Sequence, residues 1–131
     1  MIDRLIGDIL KELRHITSAV RTPNKNILNY TASLAADTDV IAAVPGKQIK
    51  VIAYSLQSAS TTAETVTFKS NGTSGTAKWT VILRSLASSL FGASLATSAP
   101  SYLFSTNVGE KLTLDFTGSE TIIVNLTYYV S

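Results

Sequence analysis

The chain has 131 residues, of which 45% are hydrophobic and 15% are charged, and its formal net charge is +2. This length is enough for one domain with its own core and excludes two good cores, while the hydrophobic content excludes a disordered chain. The eleven Lys and Arg residues form no basic run, which argues against nucleic-acid binding.

The charged fraction is below the roughly 25% of a typical soluble domain. Ser and Thr take the place of charged residues and make up about a quarter of the chain. A surface rich in hydroxyls and poor in charge suits a strand-rich protein in a packed assembly better than a free monomer. The sequence contains no cysteine, so neither disulfides nor thiolate metal sites are available.

The first segment, MIDRLIGDILKELRHITSAVRTPN, has apolar residues spaced by four and three positions. This spacing predicts an amphipathic helix from Asp3 to Val20, ending before Pro23 because the residue ahead of a proline leaves the α region. Isoleucine at heptad position d favours trimers or tetramers over parallel dimers. The apolar row, which we expect to mediate oligomerisation or docking, fills every a and d position: Ile2, Ile6, Ile9, Leu13, Ile16 and Val20.

Three partners for this row are open: further copies of the helix, another protein, or the β-domain of the same chain. A membrane surface is disfavoured, because the polar face of the helix is balanced in charge rather than basic. Charged residues also interrupt the apolar ones, so we expect neither a signal peptide nor a membrane span. The predicted organisation is a helix over residues 1–22, a hinge over 23–26 and a β-domain over 27–131.

From Ile27 onward the apolar residues alternate with a period of two, and turn residues such as Asn71-Gly72 separate the alternating segments. Short strands without intervening helices predict an antiparallel sandwich or barrel. The predicted strands are Ile27–Ser33, Asp39–Val44, Gln48–Leu56, Glu64–Ser70, Ala77–Arg84, Tyr102–Ser105, Lys111–Thr117 and Thr121–Val130.

Two connections have specific expectations. The last two strands are joined by Gly118-Ser119, and this short turn predicts that they form a hairpin. In the predicted strand Lys111–Thr117, Thr113 and Asp115 alternate outward into solvent. The segment Ser85–Ser101 has no firm period and is interpreted as a long connection with room for one short strand.

The segment QIKVIAYSL is apolar on both faces, which indicates either a covering loop or a subunit interface on its outer side. At the end of the chain, Tyr128 and Tyr129 point to opposite faces, so one of them should look outward. We therefore predict a possible contact surface that contains Tyr54 and Tyr129.

Catalytic and metal-binding patterns are weak. The single histidine, His15, falls on the solvated face of the helix, and no serine stands in a G-x-S-x-G motif. Glu110 and Asp115 are the carboxylates that an enzyme hypothesis would test. We therefore expect that the protein is not an enzyme and that it binds neither a cofactor nor a metal ion.

Two runs, AAVPGKQIKVIAYSLQSASTTAETVTFKS and FSTNVGEKLTLDFTGSETIIVNLTYYV, resemble a small β-domain found in virion proteins of tailed phages. The matching positions are Gly46-Lys47, Lys50–Leu56, Thr65–Ser70, Gly109–Leu114 and Thr127–Val130. The resemblance implies a mainly β, jelly-roll-like sandwich of about eight strands, of the kind used in capsid decoration, cement or fibre proteins that are often trimeric.

The resulting hypothesis is a non-enzymatic structural virion protein, a homotrimer that binds capsid or other virion proteins through apolar surfaces and binds neither nucleic acid nor membrane. The alternative is a carbohydrate- or receptor-binding module of a phage tail or fibre. That alternative predicts exposed aromatic residues and carboxylates clustered on one loop face.

Overall fold

The computed structural model describes residues 4–9, 26–58, 63–83, 91–118 and 121–131. Residues 4–9 form a helix, α1, which lies within the predicted helical segment. The other described residues form nine strands, in chain order β1 Leu28–Leu34, β2 Thr38–Ile41, β3 Ile49–Ser58, β4 Glu64–Ser70, β5 Thr76–Leu83, β6 Phe91–Ala96, β7 Phe104–Ser105, β8 Leu112–Phe116 and β9 Ile122–Val130.

The strands form two antiparallel sheets, which confirms the predicted sandwich. One sheet has the order β1-β9-β3-β6, with β7 also paired to β3, and the other has the order β2-β8-β4-β5. Apart from β4–β5 and β6–β7, each connection between consecutive strands leads from one sheet to the other. This order is that of a jelly roll, in which eight strands fill two sheets.

The prediction that the last two strands form a hairpin is wrong. β8 pairs with β2 and β4, whereas β9 pairs with β1 and β3, so these two consecutive strands lie in different sheets. The reason is hydrophobic: Leu112, Leu114 and Phe116 face Ile122, Val124 and Leu126 within one core. Two strands with one apolar face each bury both faces better on opposite sides of a sandwich than side by side.

The β4–β5 connection is a hairpin, and its turn residues explain why. Asn71 and Gly72 both have positive φ values, 73° and 89°, and the Gly75 N–H donates to the Gly72 carbonyl at 2.9 Å. Asn-Gly is the sequence that adopts two successive left-handed conformations at the lowest cost.

The apolar residues on both faces of β3 are explained by a local irregularity of the strand. The pairing of β3 with β9 shifts register between Val51 and Ala53, which marks a β-bulge. The bulge reverses the alternation, so that Ile49 and Val51 point into the core before it, and Tyr54 and Leu56 after it. Ile52, at the bulge, lies outside this core yet is only 6% exposed. The segment 97–103 begins beside it, where Thr97 N–H donates to the Ile52 carbonyl. For β3, a bulge and a covering segment of the same chain account for the second apolar face.

The segment predicted as a long connection with room for one short strand contains β6, which pairs with β3 from Ala53 to Ser58. Conversely, the predicted strand Tyr102–Ser105 is reduced to the two residues of β7. The core lies between the sheets and includes an aromatic group in which the Phe68 and Phe104 rings are 4.9 Å apart and the Trp79 and Phe104 rings are stacked at 5.6 Å.

Candidate functional site

The described turns of α1 present apolar side chains to solvent. Leu5 is 62% exposed, Ile6 50% and Ile9 51%, and none of them belongs to the hydrophobic core. Ile6 and Ile9 are adjacent a and d positions, three residues apart and therefore on one side of a helix. We call Leu5, Ile6 and Ile9 the helix row. The other residues of the predicted row, Ile2, Leu13, Ile16 and Val20, lie outside the described residues.

Tyr54 and Tyr129, the predicted contact residues, are both buried within the chain. Tyr54 is 8% exposed, packs at 5.7 Å from the Phe68 ring and accepts a hydrogen bond from the Trp79 indole at 3.2 Å. Tyr129 is 2% exposed, and its hydroxyl donates to the Pro100 carbonyl at 2.5 Å. Their part in a contact between molecules stays a prediction.

Tyr129 lies on the outer side of its sheet, where the segment 97–103 covers it. Burial, followed by the nearby Tyr102, raises the pKa of the Tyr129 hydroxyl above its usual 10.0. The Lys50 ammonium lies 5.1 Å from the Tyr102 ring and 5.9 Å from the Tyr129 ring. The cation–π contact between Lys50 and Tyr102 holds the covering segment against β3.

The glycan alternative needs exposed aromatic rings beside carboxylates. Tyr102, at 46%, is the one described aromatic residue with an exposed side chain, and its ring lies against Lys50. Trp79 instead is partly buried and packs on the core. In the residues that the structure describes, nothing assembles the aromatic and acidic cluster that this alternative requires.

A polar cleft of about 410 Å³ lies between β2 and the β4–β5 turn. Within it, Asp39 accepts from the Lys111 ammonium at 2.7 Å and from the Thr113 hydroxyl at 2.7 Å, and these interactions lower the pKa of its carboxyl group. Thr113 was expected to face solvent but is 1% exposed, because the Gly72 N–H also donates to its hydroxyl. Asp37 caps a backbone group, accepting from Phe116 N–H at 2.8 Å. Both carboxylates therefore hold the cleft together.

A second polar cluster joins the ends of β4 and β5 to the turn before β8. The Ser70 hydroxyl, fully buried, donates to Glu110 Oε2 at 2.5 Å and accepts from the Asn107 N–H at 2.9 Å. The Asn107 amide donates to the same Glu110 oxygen and accepts from the Lys78 ammonium. A serine that donates to a carboxylate and is closed to solvent is a structural link, and sequence analysis could not find it because Ser70 and Glu110 are 40 positions apart.

Asp115 is the other carboxylate that an enzyme hypothesis would test. It forms an ion pair with Lys69 at 2.5 Å on the outer face of the sheet. Among the residues that the structure describes, no group of three His, Cys, Asp or Glu residues could hold a metal ion. His15 lies outside the described residues. None of the helical residues described forms a segment long and apolar enough to cross a membrane.

No known protein family matches the chain, and no curated protein does. A subunit of Bacillus endospore appendages, which are disulfide-linked pili, is similar over 85% of this chain and 95% of its own, with 17% identity and a TM-score of 0.40. A chain from the virus-like particle of the extra small virus of the prawn Macrobrachium rosenbergii is similar over 86% of this chain and 84% of its own, with 13% identity and a TM-score of 0.34. Similarity at this level of sequence identity and TM-score does not show the function of this chain, which has to be argued from its own residues.

Proposed function

We propose that this chain is a non-enzymatic structural subunit of a virion, a homotrimer whose N-terminal helices associate while the β-sandwich serves as a capsid decoration, cement or fibre module. The observation that carries the proposal is the exposure of the helix row. Apolar side chains in a row on one side of a helix lose contact with water when they meet a partner, and each fully buried Ile or Leu contributes roughly 1.5–3 kcal/mol.

The β-domain supports this proposal because it closes its core without α1. The core cluster and the residues packed on it extend from Tyr30 to Val130, and no described helix residue takes part. The helix row is therefore available to another molecule. Isoleucine at every d position favours trimers or tetramers over dimers, and three β-domains held together compensate for a helix too short to form a stable coiled coil alone.

The virion setting rests on the resemblance of the two β-strand runs to phage virion domains and on a surface with few charges. In such a setting, weak contacts are repeated by symmetry and become strong together. The described residues supply structural roles for the buried serine and for the carboxylates Asp37, Asp39, Glu110 and Asp115, which agrees with a protein that binds and does not catalyse.

The test is the molar mass of the full chain by light scattering after size exclusion. We expect a trimer for the wild type and loss of the trimer for Ile9→Asp, because a charge at a d position has to be buried in the helix contact. The matched control is Arg4→Asp, which introduces the same residue in the same helix away from the apolar row and should remain trimeric. A wild-type monomer, or equal masses for Ile9→Asp and wild type, would overturn the proposal.

A further inference from the structure

The two sheets end in strands that differ in how they are protected against further pairing. Natural edge strands are blocked by short length, by charged residues, by proline or by bulges. β2 has four residues, a register shift and Asp39. β5 contains Lys78 and pairs with β4 through a register shift, and it also contacts β6, the edge strand of the other sheet.

β1 carries none of these blocks. It pairs with β9 over seven consecutive residues, Leu28 to Leu34, without a register shift. Its sequence, LNYTASL, has no charge and no proline. Within the described ranges, no strand pairs with its other side, so alternate residues direct their backbone N–H and C=O groups away from the sheet.

We propose that the free edge of β1 pairs in antiparallel fashion with β1 of a second copy of this chain, about a twofold axis at Thr31, and joins two sheets into one. This surface is separate from the helix row. The inference therefore does not need the trimer, and it adds a twofold contact to the threefold contact of the proposed function.

The side chains of β1 fit this self-pairing. With Thr31 opposite its own copy, Tyr30 lies opposite Ala32, Asn29 opposite Ser33 and Leu28 opposite Leu34. Core-side residues then meet only core-side residues, because directly opposed residues in an antiparallel pair point to the same face. Tyr30 is large where Ala32 is small, and Leu28, which is 37% exposed in the single chain, gains an apolar neighbour.

The chemistry also selects a second copy over a different partner. A charged or strongly apolar ligand finds no complementary group on an uncharged strand whose outer residues are Asn29, Thr31 and Ser33. Pairing one strand with another buries less than the roughly 1,200 Å² of a stable interface. Such a contact is weak between free chains and is strengthened when symmetry repeats it.

The experiment uses single cysteines in the full chain, which has none of its own. Directly opposed Cβ atoms in antiparallel strands lie about 4.5–5.5 Å apart, close to the distance of a disulfide. Under mild oxidation we expect Thr31→Cys to form a covalent dimer. Asn29→Cys should not, since its copies would be about 14 Å apart, whereas the double variant Asn29→Cys, Ser33→Cys should again crosslink.

The matched control is Thr80→Cys, an exposed threonine on the edge strand β5 of the other sheet. Crosslinking of Thr31→Cys no greater than that of Thr80→Cys would overturn the inference, and so would equal crosslinking of Asn29→Cys and Thr31→Cys, which indicates random collision.

Molar masses separate this inference from the proposed function. In the Ile9→Asp background, which removes the helix contact, we expect a concentration-dependent dimer that Thr31→Lys converts to a monomer. A monomer in the Ile9→Asp background at all concentrations, together with no Thr31→Cys crosslink, overturns the β1 contact and leaves the helix trimer standing. A trimer that persists in Ile9→Asp overturns the helix contact, while a Thr31→Cys crosslink still supports the edge.

Discussion

Gly75, in the β4–β5 turn, leaves no space for a side chain. A Cβ atom there would lie 1.8 Å from the Ser70 carbonyl oxygen, which is backbone and cannot move aside without opening the hairpin. We expect Gly75→Ala to lower the free energy of unfolding by about 2–4 kcal/mol, as measured by urea denaturation.

Gly46 is the control for this substitution. It has a φ of 72°, but a Cβ atom there would meet nothing within 4 Å, so Gly46→Ala should cost only about 1 kcal/mol through its backbone conformation. Equal losses for the two variants would contradict the steric explanation.

Asp39 is expected to link stability to pH. Lys111 and Thr113 lower its pKa below the usual 3.8 in the folded chain, so the folded state keeps the carboxylate ionised to a lower pH than the unfolded state does. The stabilisation is therefore present above pH 3.8 and is lost as the pH falls through the lower, folded value.

The measurement is the difference in melting temperature between wild type and Asp39→Asn. We expect wild type to be the more stable at pH 7 and the difference to shrink as the pH falls below 3.8. A difference that does not change with pH would show that the ion pair with Lys111 contributes nothing.

At the scale of elements, the turn before β8 is held by the buried Ser70 hydroxyl. Replacing Ser70 by alanine leaves the Asn107 N–H and the Glu110 carboxylate without this partner, which costs about 1–3 kcal/mol for buried groups. We expect the loss in denaturant unfolding, together with faster amide exchange at residues 106–110.

The matched variant is Ser55→Ala on the exposed face of β3, which should change the free energy of unfolding by less than about 0.5 kcal/mol. Normal exchange at residues 106–110 in Ser70→Ala would mean that other contacts hold this turn.

For the whole molecule, the proposed division into residues 1–22, 23–26 and 27–131 predicts that the β-domain folds alone. A chain of residues 27–131 should melt at the same temperature as full-length Ile9→Asp, because the core between Tyr30 and Val130 is intact in both and the helix contact is missing from both. Circular dichroism at equal concentration measures this. An unfolded or clearly less stable fragment would show that the N-terminal segment belongs to the domain.

Most strands were predictable because alternation depends on neighbours within a few residues. Glu64–Ser70 was predicted with the same bounds as β4, and the other predicted strands that match differ by at most three residues at either end. A short strand was allowed for between Ser85 and Ser101, but the position of β6 was not identified, since stretches of small residues such as FGASLA have no firm apolar period. Its place follows from its pairing with β3.

The candidate site was predictable in part. The spacing of Ile6 and Ile9 identified an apolar row, and the structure leaves both side chains exposed. The burial of Tyr54 and Tyr129 was not predictable, because it depends on the β3 bulge and on the segment 97–103, which folds over the sheet from about fifty positions away in sequence.

Local order and long-range order thus have different physical origins in this chain. Alternation, the Asn71-Gly72 turn and the helical spacing act between residues that are close in sequence, so the residue order alone determines them. The placement of β8 and β9 in different sheets and the exposed edge of β1 depend on which apolar faces pack together. That choice is made by apolar contacts between residues fifty to a hundred positions apart, such as Val66 with Phe116 and Tyr30 with Leu126, and it exists only in the folded chain.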